Sequence, residues 1–470
     1  MGGFSAERRP VRTGDIVSLE VQSLADGPDA LCLADGYVVF VPFALPGERV
    51  RVRILSAGRK HGRGELLSVE RASPERVTAR CAHFGTCGGC DFQVMSETAQ
   101  RRVKTQRVAK ALAFALKVPA ESLPMHALEV PPDPWGQRNK IALVLHPDPD
   151  RYLRAGLYAR RSQAVVALRE CPVSAPDGLA VGLRIADALR MLRLPIADPQ
   201  RQTPGLRAVV VRTTNGAGEP HVLFVGTEPG CPRPDEVVAT SRVAGAVSVA
   251  YNANPDFGPN LLGRDTRLLA GPARVRERVE EHTYLVSPGA FFQTSAWGVS
   301  HLVQAVRACV PATPARDIVD LFCGGGLLTL ALAAHCRRIV GIEGNPNAIE
   351  DARASARLGG VVNAEFVVGR VEDKVRSLAA NLDTATVVLD PPRDGCAPGV
   401  IEVVATSLRP DRVVYVSCDP SSLARDAAAL VAGGYRVVSV APFDMFPHTH
   451  HIETLAVFDR TAAMPPTGPR

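Results

Sequence analysis

From about residue 286 the chain alternates strand-like and helix-like segments, and this alternation restricts it to few architectures. The strand-like runs are "DIVDLFC", "RRIVGIEG", "ATVVLDPP", "RVVYVSC", "RVVSVAPF" and "ETLAVFD". Strands that alternate with helices pair in parallel and build a doubly wound α/β sheet. Such sheets place their ligands at the carboxyl ends of the strands. Those strand ends are where chemistry is to be sought.

The first run leads into Gly324, Gly325 and Gly326 and then a helix, "DIVDLFCGGGLLTLALA". Glycines there let the backbone turn tightly and approach a ligand closely. The second run ends on Glu343, about twenty residues on, where a carboxylate accepts hydrogen bonds from a ribose diol. NAD and S-adenosylmethionine both satisfy this pattern. Thr329 stands where the last glycine of a dinucleotide fingerprint belongs, which weakens the case for a diphosphate. A later run ends on Asp390-Pro391-Pro392, and the prolines stop the strand from continuing. Asp390 is either an acceptor for a substrate N–H or a turn aspartate.

"VVYVSCDPSSLARD" ends a strand on Cys418, turns on Asp419-Pro420 and enters a helix. The final run begins near Glu453. If the last two strands form an antiparallel edge, Glu453 returns to the face of Cys418. A thiol and a carboxyl around one pocket suit pyrimidine C5 chemistry. A thiolate adds at C6, C5 becomes nucleophilic, and a base removes the C5 proton so that the thiolate can leave. Cys396, in "PRDGCAPG", is the rival nucleophile but lacks the strand-end placement.

The amino-terminal part differs. Residues 12–72 contain short β-branched runs with Gly and Pro between them, which predict a small barrel. Arg51, Arg53, Arg59, Lys60, His61 and Arg63 lie close together there. They read either as an RNA-binding surface or as a charged, protected edge. A helix follows from "SETAQRRVKTQRVAKALAFAL", with Ser96 as its N-cap. Net charge is +6, carried mostly by arginine, which is compatible with a phosphate-backbone partner. No apolar run approaches the ~18 residues of a membrane span, and no signal-peptide pattern opens the chain, so a cytoplasmic protein without a membrane partner is expected.

Cys81, Cys87 and Cys90 are spaced C-x5-C-x2-C, and Cys171 in "RECPV" can supply a fourth thiolate. Four such ligands suit tetrahedral zinc or a [4Fe–4S] cluster, and spacing does not choose between them.

Taken together these segments resemble the S-adenosylmethionine-dependent RNA uridine-C5 methyltransferases, over nearly the whole chain. "VVFVPFALPGERVRVRI" resembles a TRAM domain, and "CAHFGTCGGC" with "ECPV" resembles the family's iron–sulfur site. "SPGAFFQTS", "DLFCGGG", "LDPPRDG", "YVSCDPSSLARD" and "DMFPHTHHIET" follow in the family's order. The resemblance implies a class I methyltransferase sheet (Rossmann-like), an OB-like amino-terminal barrel and a central α+β iron–sulfur domain. Its expected bounds are 10–73 for the barrel and 74–94 with 126–284 for the central domain. Residues 95–125 with 285–460 would form the methyltransferase domain and 461–470 a flexible tail.

The same resemblance implies Cys418 as nucleophile and Glu453 as proton-abstracting base. Gln293, Phe322, Glu343 and Asp390 would contact the cofactor or the target base. Cys81, Cys87, Cys90 and Cys171 would hold a [4Fe–4S] cluster in preference to zinc. Leu327 and Arg370 depart from polar residues common in the family near the cofactor, and His450 replaces a frequent small residue beside the base. The expected partner is RNA, acted on by a monomer. An appended barrel and a cysteine cluster resemble the ribosomal-RNA branch (23S) more than the transfer-RNA branch. Two alternatives stay open: a cytosine methyltransferase, against which Ser417 stands in place of a proline before the cysteine, and an RNA-binding chaperone without catalysis.

Overall fold

The computed structural model describes residues 10–461 apart from positions 151, 217 and 259. Beyond Thr461 the expected flexible tail lies outside the described residues. The chain divides into two compact units. One comprises residues 1–107, 157–170 and 446–450, and the other 108–156, 171–445 and 451–470.

The first unit contains a closed barrel of β1 (Ile16–Leu24), β2 (Asp29–Ala34), β3 (Tyr37–Pro42), β4 (Arg49–Ala57) and β5 (His61–Arg71), in the order β1-β2-β3-β5-β4. Alternation in β4 turns Val50, Val52 and Ile54 into the core with Tyr37, Val39 and Val41 and leaves Arg49, Arg51 and Arg53 outside. The outward arginines meet acids on neighbouring strands: Arg49 pairs with Glu70 at 3.2 Å, Arg53 with Glu65 at 3.3 Å, and Arg71 with Glu20 at 2.7 Å. The basic stretch is therefore in part a charge-paired barrel wall, while Arg59 and Lys60 remain exposed at the β4–β5 turn.

Helix α1 (Glu97–Leu116) follows, and the Ser96 hydroxyl accepts the Ala99 N–H as the expected cap. Its positive charges do not form one open face. Lys104 is fully buried and donates to the Phe446 carbonyl at 3.0 Å, and Arg102 pairs with Glu75.

A seven-stranded sheet runs in the order β12-β11-β10-β9-β6-β7-β8, from β6 (Lys140–Asp148), β7 (Tyr152–Tyr158), β8 (Val165–Ala167), β9 (Leu206–Thr213), β10 (Pro220–Gly226), β11 (Ser248–Ala253) and β12 (Asp265–Ala270). Every residue of β9 is buried, as befits a central strand. Helices α2 (Pro176–Leu192) and α3 (Pro234–Val243) and a hairpin of β13 (Val275–Val279) and β14 (His282–Val286) complete this region.

The carboxyl-terminal sheet comprises β15 (Thr313–Leu321), β16 (Cys336–Glu343), β17 (Ala364–Val368), β18 (Thr384–Leu389), β19 (Arg412–Ser417), β20 (Tyr435–Phe443) and β21 (Glu453–Arg460). Its order is β17-β16-β15-β18-β19-β21-β20. Strands β15 to β19 pair in parallel, and β21 runs antiparallel between β19 and β20. The accompanying helices are α4 (Ala296–Cys309), α5 (Leu327–Leu332), α6 (Pro346–Leu358), α7 (Val371–Leu378), α8 (Val400–Val403) and α9 (Pro420–Ala432). Leu321, Ile342, Leu389 and Tyr415 stand in register near the carboxyl ends and are buried. The strand ends are thereby fixed on a rigid apolar platform. Among the described residues no helix is long and apolar enough to cross a membrane.

Candidate active site

The turn after β15 is open where a ligand would need space. A Cβ added at Gly324 or Gly325 would meet nothing within 4 Å, whereas one at Gly326 would come within 3.1 Å of the Ala352 Cβ. The first two glycines thus face space and the third packs against α6. Phe322, at the head of the turn, holds φ 66°, a strained value for an aromatic residue. Its N–H donates to the Ile342 carbonyl at 2.9 Å, which locks the turn to β16. Glu343 braces the same turn. One of its carboxylate oxygens accepts the Gly324 N–H at 3.1 Å and the other the Asn345 N–H at 2.8 Å.

Below the turn, Thr329 donates its hydroxyl to Asp320 at 2.5 Å, so this threonine has a structural use where a dinucleotide fingerprint would need glycine. Burial pushes the Asp320 carboxyl up to about 7, and its second oxygen is buried with no hydrogen-bond partner. An open cradle, a carboxylate at its rim and an orphaned buried acceptor fit a nucleoside-bearing cofactor. Gln293 precedes α4 and is buried, and the next helix is capped where the Ser295 hydroxyl accepts the Gly298 N–H at 3.1 Å.

The second half of the site lies at the ends of β18, β19 and β21. Asp390 follows β18, and its N–H donates to the Leu321 carbonyl at 3.2 Å, so it stands beside the glycine turn. Cys418 follows β19. The Ser417 hydroxyl donates to the Asp419 carbonyl at 2.9 Å, and Asp419 caps α9 by accepting the N–H groups of Ser421 and Ser422, both at 2.9 Å. The thiol is held between a buried strand and a capped helix, half-buried itself. Glu453 opens β21 and is 2% exposed. As expected, the last two strands form an antiparallel edge, with β21 beside β19 and β20 outermost, and this brings Glu453 to the sheet end where Cys418 lies.

The electrostatics of this end tie the groups together. Burial raises the Cys418 thiol to about 11; the negative charges of Glu453 and Asp390 add to that, and Arg393 opposes it. Burial also lifts Glu453 well above the usual carboxylate range, with Asp390 raising it further and Arg393 lowering it. Asp390 rises to about 7 through burial alone. Arg393 directly follows the two prolines and has no role in the sequence expectations, yet its charge acts on both Cys418 and Glu453. The signal was present in "LDPPRDG", where a cation follows a loop aimed at the strand ends.

Cys396 is no competitor. It belongs to the core, burial pushes its thiol up to about 12, and its sulfur lies 3.8 Å from the Tyr415 hydroxyl. Leu327 contributes its carbonyl, which accepts the Tyr284 hydroxyl at 2.9 Å, and Arg370 is exposed and pairs with Glu372.

Cys81, Cys87 and Cys90 lie on one loop of the first unit, where the Cys81 N–H donates to Gln93 at 3.0 Å and the Gly89 N–H to the Cys87 sulfur at 3.4 Å. Cys171 belongs to the second unit. Among the described residues, no three His, Cys, Asp or Glu side chains are arranged to hold a metal ion. A [4Fe–4S] cluster or zinc at these cysteines therefore has no support in their arrangement. No step below passes through such a group.

Comparison with known proteins agrees with this geometry. The sequence pattern of the tRNA (Uracil-5-)-methyltransferase family matches residues 265–461, and that of the TRAM domain matches residues 10–67. The chain is 35% identical over 466 residues to an uncharacterized RNA methyltransferase of Gloeobacter violaceus, covering 98% of this chain and 100% of that one. It is 32% identical over 463 residues to another of Halalkalibacterium halodurans, covering 97% and 99%. The solved tRNA (uracil-54, C5)-methyltransferase of Pyrococcus abyssi, in complex with S-adenosyl-L-homocysteine, is similar with a TM-score of 0.73 at 25% identity, covering 94% of this chain and 100% of that one. These relatives match the chain from end to end, and the chain belongs to the S-adenosylmethionine-dependent RNA uracil-5 methyltransferase family.

Proposed function

We propose that this protein methylates C5 of a specific uridine in RNA, with Cys418 as the nucleophile and Glu453 as the base. The observation that carries this reading is the strand register that puts Ser417 opposite Thr454 and so sets the two reactive groups at one sheet end. When bound, S-adenosylmethionine supplies an electrophilic methyl group. Gly324, Gly325, Phe322, Glu343 and Gln293 are the residues we assign to holding it.

Cys418 releases its proton to solvent and its thiolate bonds to C6, while the C5=C6 electron pair shifts toward C5 and the 4-oxygen, which makes C5 nucleophilic. Glu453 then receives the C5 proton, the electron pair returns to the ring, and the C6–S bond breaks. Burial holds the thiol near 11 even with the Arg393 charge acting on it, and we assign Arg393 the task of favouring the thiolate against that burial. The high basicity that burial gives the Glu453 carboxylate suits a group that must take a proton from carbon. We assign Asp390 to the target base. Uracil presents a donor at N3 where cytosine presents an acceptor, so a carboxylate there selects uracil. C5 of a stacked base is out of reach, so the target uridine is flipped out or unpaired, and the barrel with Arg59 and Lys60 grips nearby phosphates.

A 5-fluorouridine RNA tests the mechanism, because fluorine cannot leave as a proton. We expect a covalent complex that survives denaturation with the native chain and is absent with Cys418→Ser. No complex with either chain would instead support a silent RNA chaperone. For the target we name 23S ribosomal RNA first, from the appended barrel. Transfer RNA is a second reading, favoured by the end-to-end likeness to an enzyme whose printed substrate is tRNA. Mass mapping of modified uridines in both RNAs, with and without the gene, separates them.

A further inference from the structure

The two carbonyls that flank Gln293 are both held by the central sheet. Arg212, at the end of β9, donates from one terminal nitrogen to the Phe292 carbonyl at 2.9 Å. The Asn139 N–H, one residue before β6, donates to the Thr294 carbonyl at 2.9 Å. The Arg212 guanidinium also lies 6.0 Å from the centre of the Phe292 ring. Gln293 is thus suspended between two fixed points.

The Arg212 contact is built at some cost. Its side chain is almost wholly buried, and its other terminal nitrogen donates to Glu277 on β13 at 3.2 Å, a residue that is completely buried. The second oxygen of Glu277 accepts the Asn215 N–H at 2.8 Å. Burying an ion pair gains little net stability over an apolar pair of similar volume. A neutral donor could also have capped one carbonyl. What the guanidinium adds is a rigid fork that fixes the angle between β13 and the Phe292 peptide.

The neighbours keep that charge in place. Register sets Lys140 and His221 on either side of Arg212 across the sheet. Burial lowers His221 to about 4 and Lys140 to about 8, and both His221 ring nitrogens are buried with no hydrogen-bond partner. The histidine is therefore neutral near pH 7 and does not compete for Glu277.

We propose that Arg212, braced by Glu277, is a positioning residue that fixes the Phe292 peptide and thereby aims the Gln293 side chain at the reacting groups. This rests on the reading of Gln293 as a cofactor- or base-contacting residue.

A double-mutant cycle on the full chain tests it, using R212M/E277L, which removes both buried charges together, and Gln293→Ala. Melting temperature, kcat and KM for S-adenosylmethionine and RNA, and the dissociation constant for S-adenosylhomocysteine are read for each. We expect R212M/E277L to stay folded and lose about 100-fold in kcat/KM, the scale of a reactive group displaced by an ångström. Gln293→Ala should then cost less than about 2-fold more in that background, because the amide is already misplaced. If Gln293→Ala costs its full wild-type amount there, or if R212M/E277L is fully active, Arg212 does not position Gln293 and the proposal fails. If Gln293→Ala is silent in the native chain, the reading of Gln293 falls first and takes this one with it. Should R212M/E277L not fold, Arg212→Lys carries the same cycle: it keeps the charge, loses the fork, and is expected to show the same non-additivity with Gln293→Ala.

Discussion

Ser417 on β19 stands opposite Thr454 on β21 in antiparallel register. Cys418 directly follows this pair on one strand and Glu453 directly precedes it on the other, so both groups lie at the same end of the sheet. They are close enough that the negative charge of Glu453 raises the Cys418 thiol.

Cys418→Ser should lower methyl transfer at least about 1000-fold, because a hydroxyl is a far weaker nucleophile toward C6. Cys396→Ser should leave turnover within about 3-fold, since that thiol is part of the core. Radiolabelled methyl incorporation into RNA checks both, and equal losses in the two variants would reject the assignment.

Glu453→Gln should stall the reaction after methyl transfer, with sulfur still bonded to C6. A protein–RNA species that carries the label and survives denaturation is expected on ordinary uridine RNA, where the native chain shows none at steady state. Electrophoresis under denaturing conditions reads it. Normal turnover by this variant would mean that another group takes the C5 proton.

Alkylation of Cys418 by iodoacetamide should be slow at neutral pH and rise about tenfold per pH unit toward its value of about 11, because only the thiolate reacts. Arg393→Ala should move this profile to still higher pH, since it removes a cation that favours both ionised groups. Peptide mass spectrometry across pH 7 to 11 measures the shift; an unchanged profile would strip Arg393 of its role.

Asp390→Asn should abolish uridine methylation while S-adenosylhomocysteine still binds. It should also stabilise the fold at pH 8. The carboxyl rises from its ordinary 3.8 to about 7 in the folded chain, so between those values the unfolded chain releases a proton that the folded chain keeps. Stability therefore falls as pH climbs through that window, and the penalty persists above it. Asparagine carries no such penalty. The gain should be on the order of a few kcal/mol at pH 8 and vanish near pH 4, read as the difference in melting temperature from the native chain.

Much of this site is legible in the sequence because strand ends announce themselves locally. Cys418 is followed by Asp419-Pro420, a cap and a first-turn proline, so its place at a strand-to-helix junction needs no tertiary information. The same holds for the glycines after β15. What escaped depends on partners far away in the chain. The short strand β17 carries too little pattern to declare itself, and nothing local places β21 between β19 and β20. The basic stretch around Arg51 left two readings open in the sequence, because Glu20, Glu65 and Glu70 meet its neighbours only through barrel register. The cysteine spacing suggested a shared centre, but spacing does not fix where loop hydrogen bonds turn each sulfur.

The insertion of β21 has a consequence for how catalytic competence arises. Strand β20 precedes it in the chain yet lies outside it in the sheet, so β20 must leave a slot that β21 fills. Without β21 in that place, Cys418 at the end of β19 would lack the Glu453 carboxyl at its side. Long-range pairing of this kind forms slowly. The pairing of thiol and carboxyl on which the proposed mechanism depends would thus be completed together with the last ladder of the sheet.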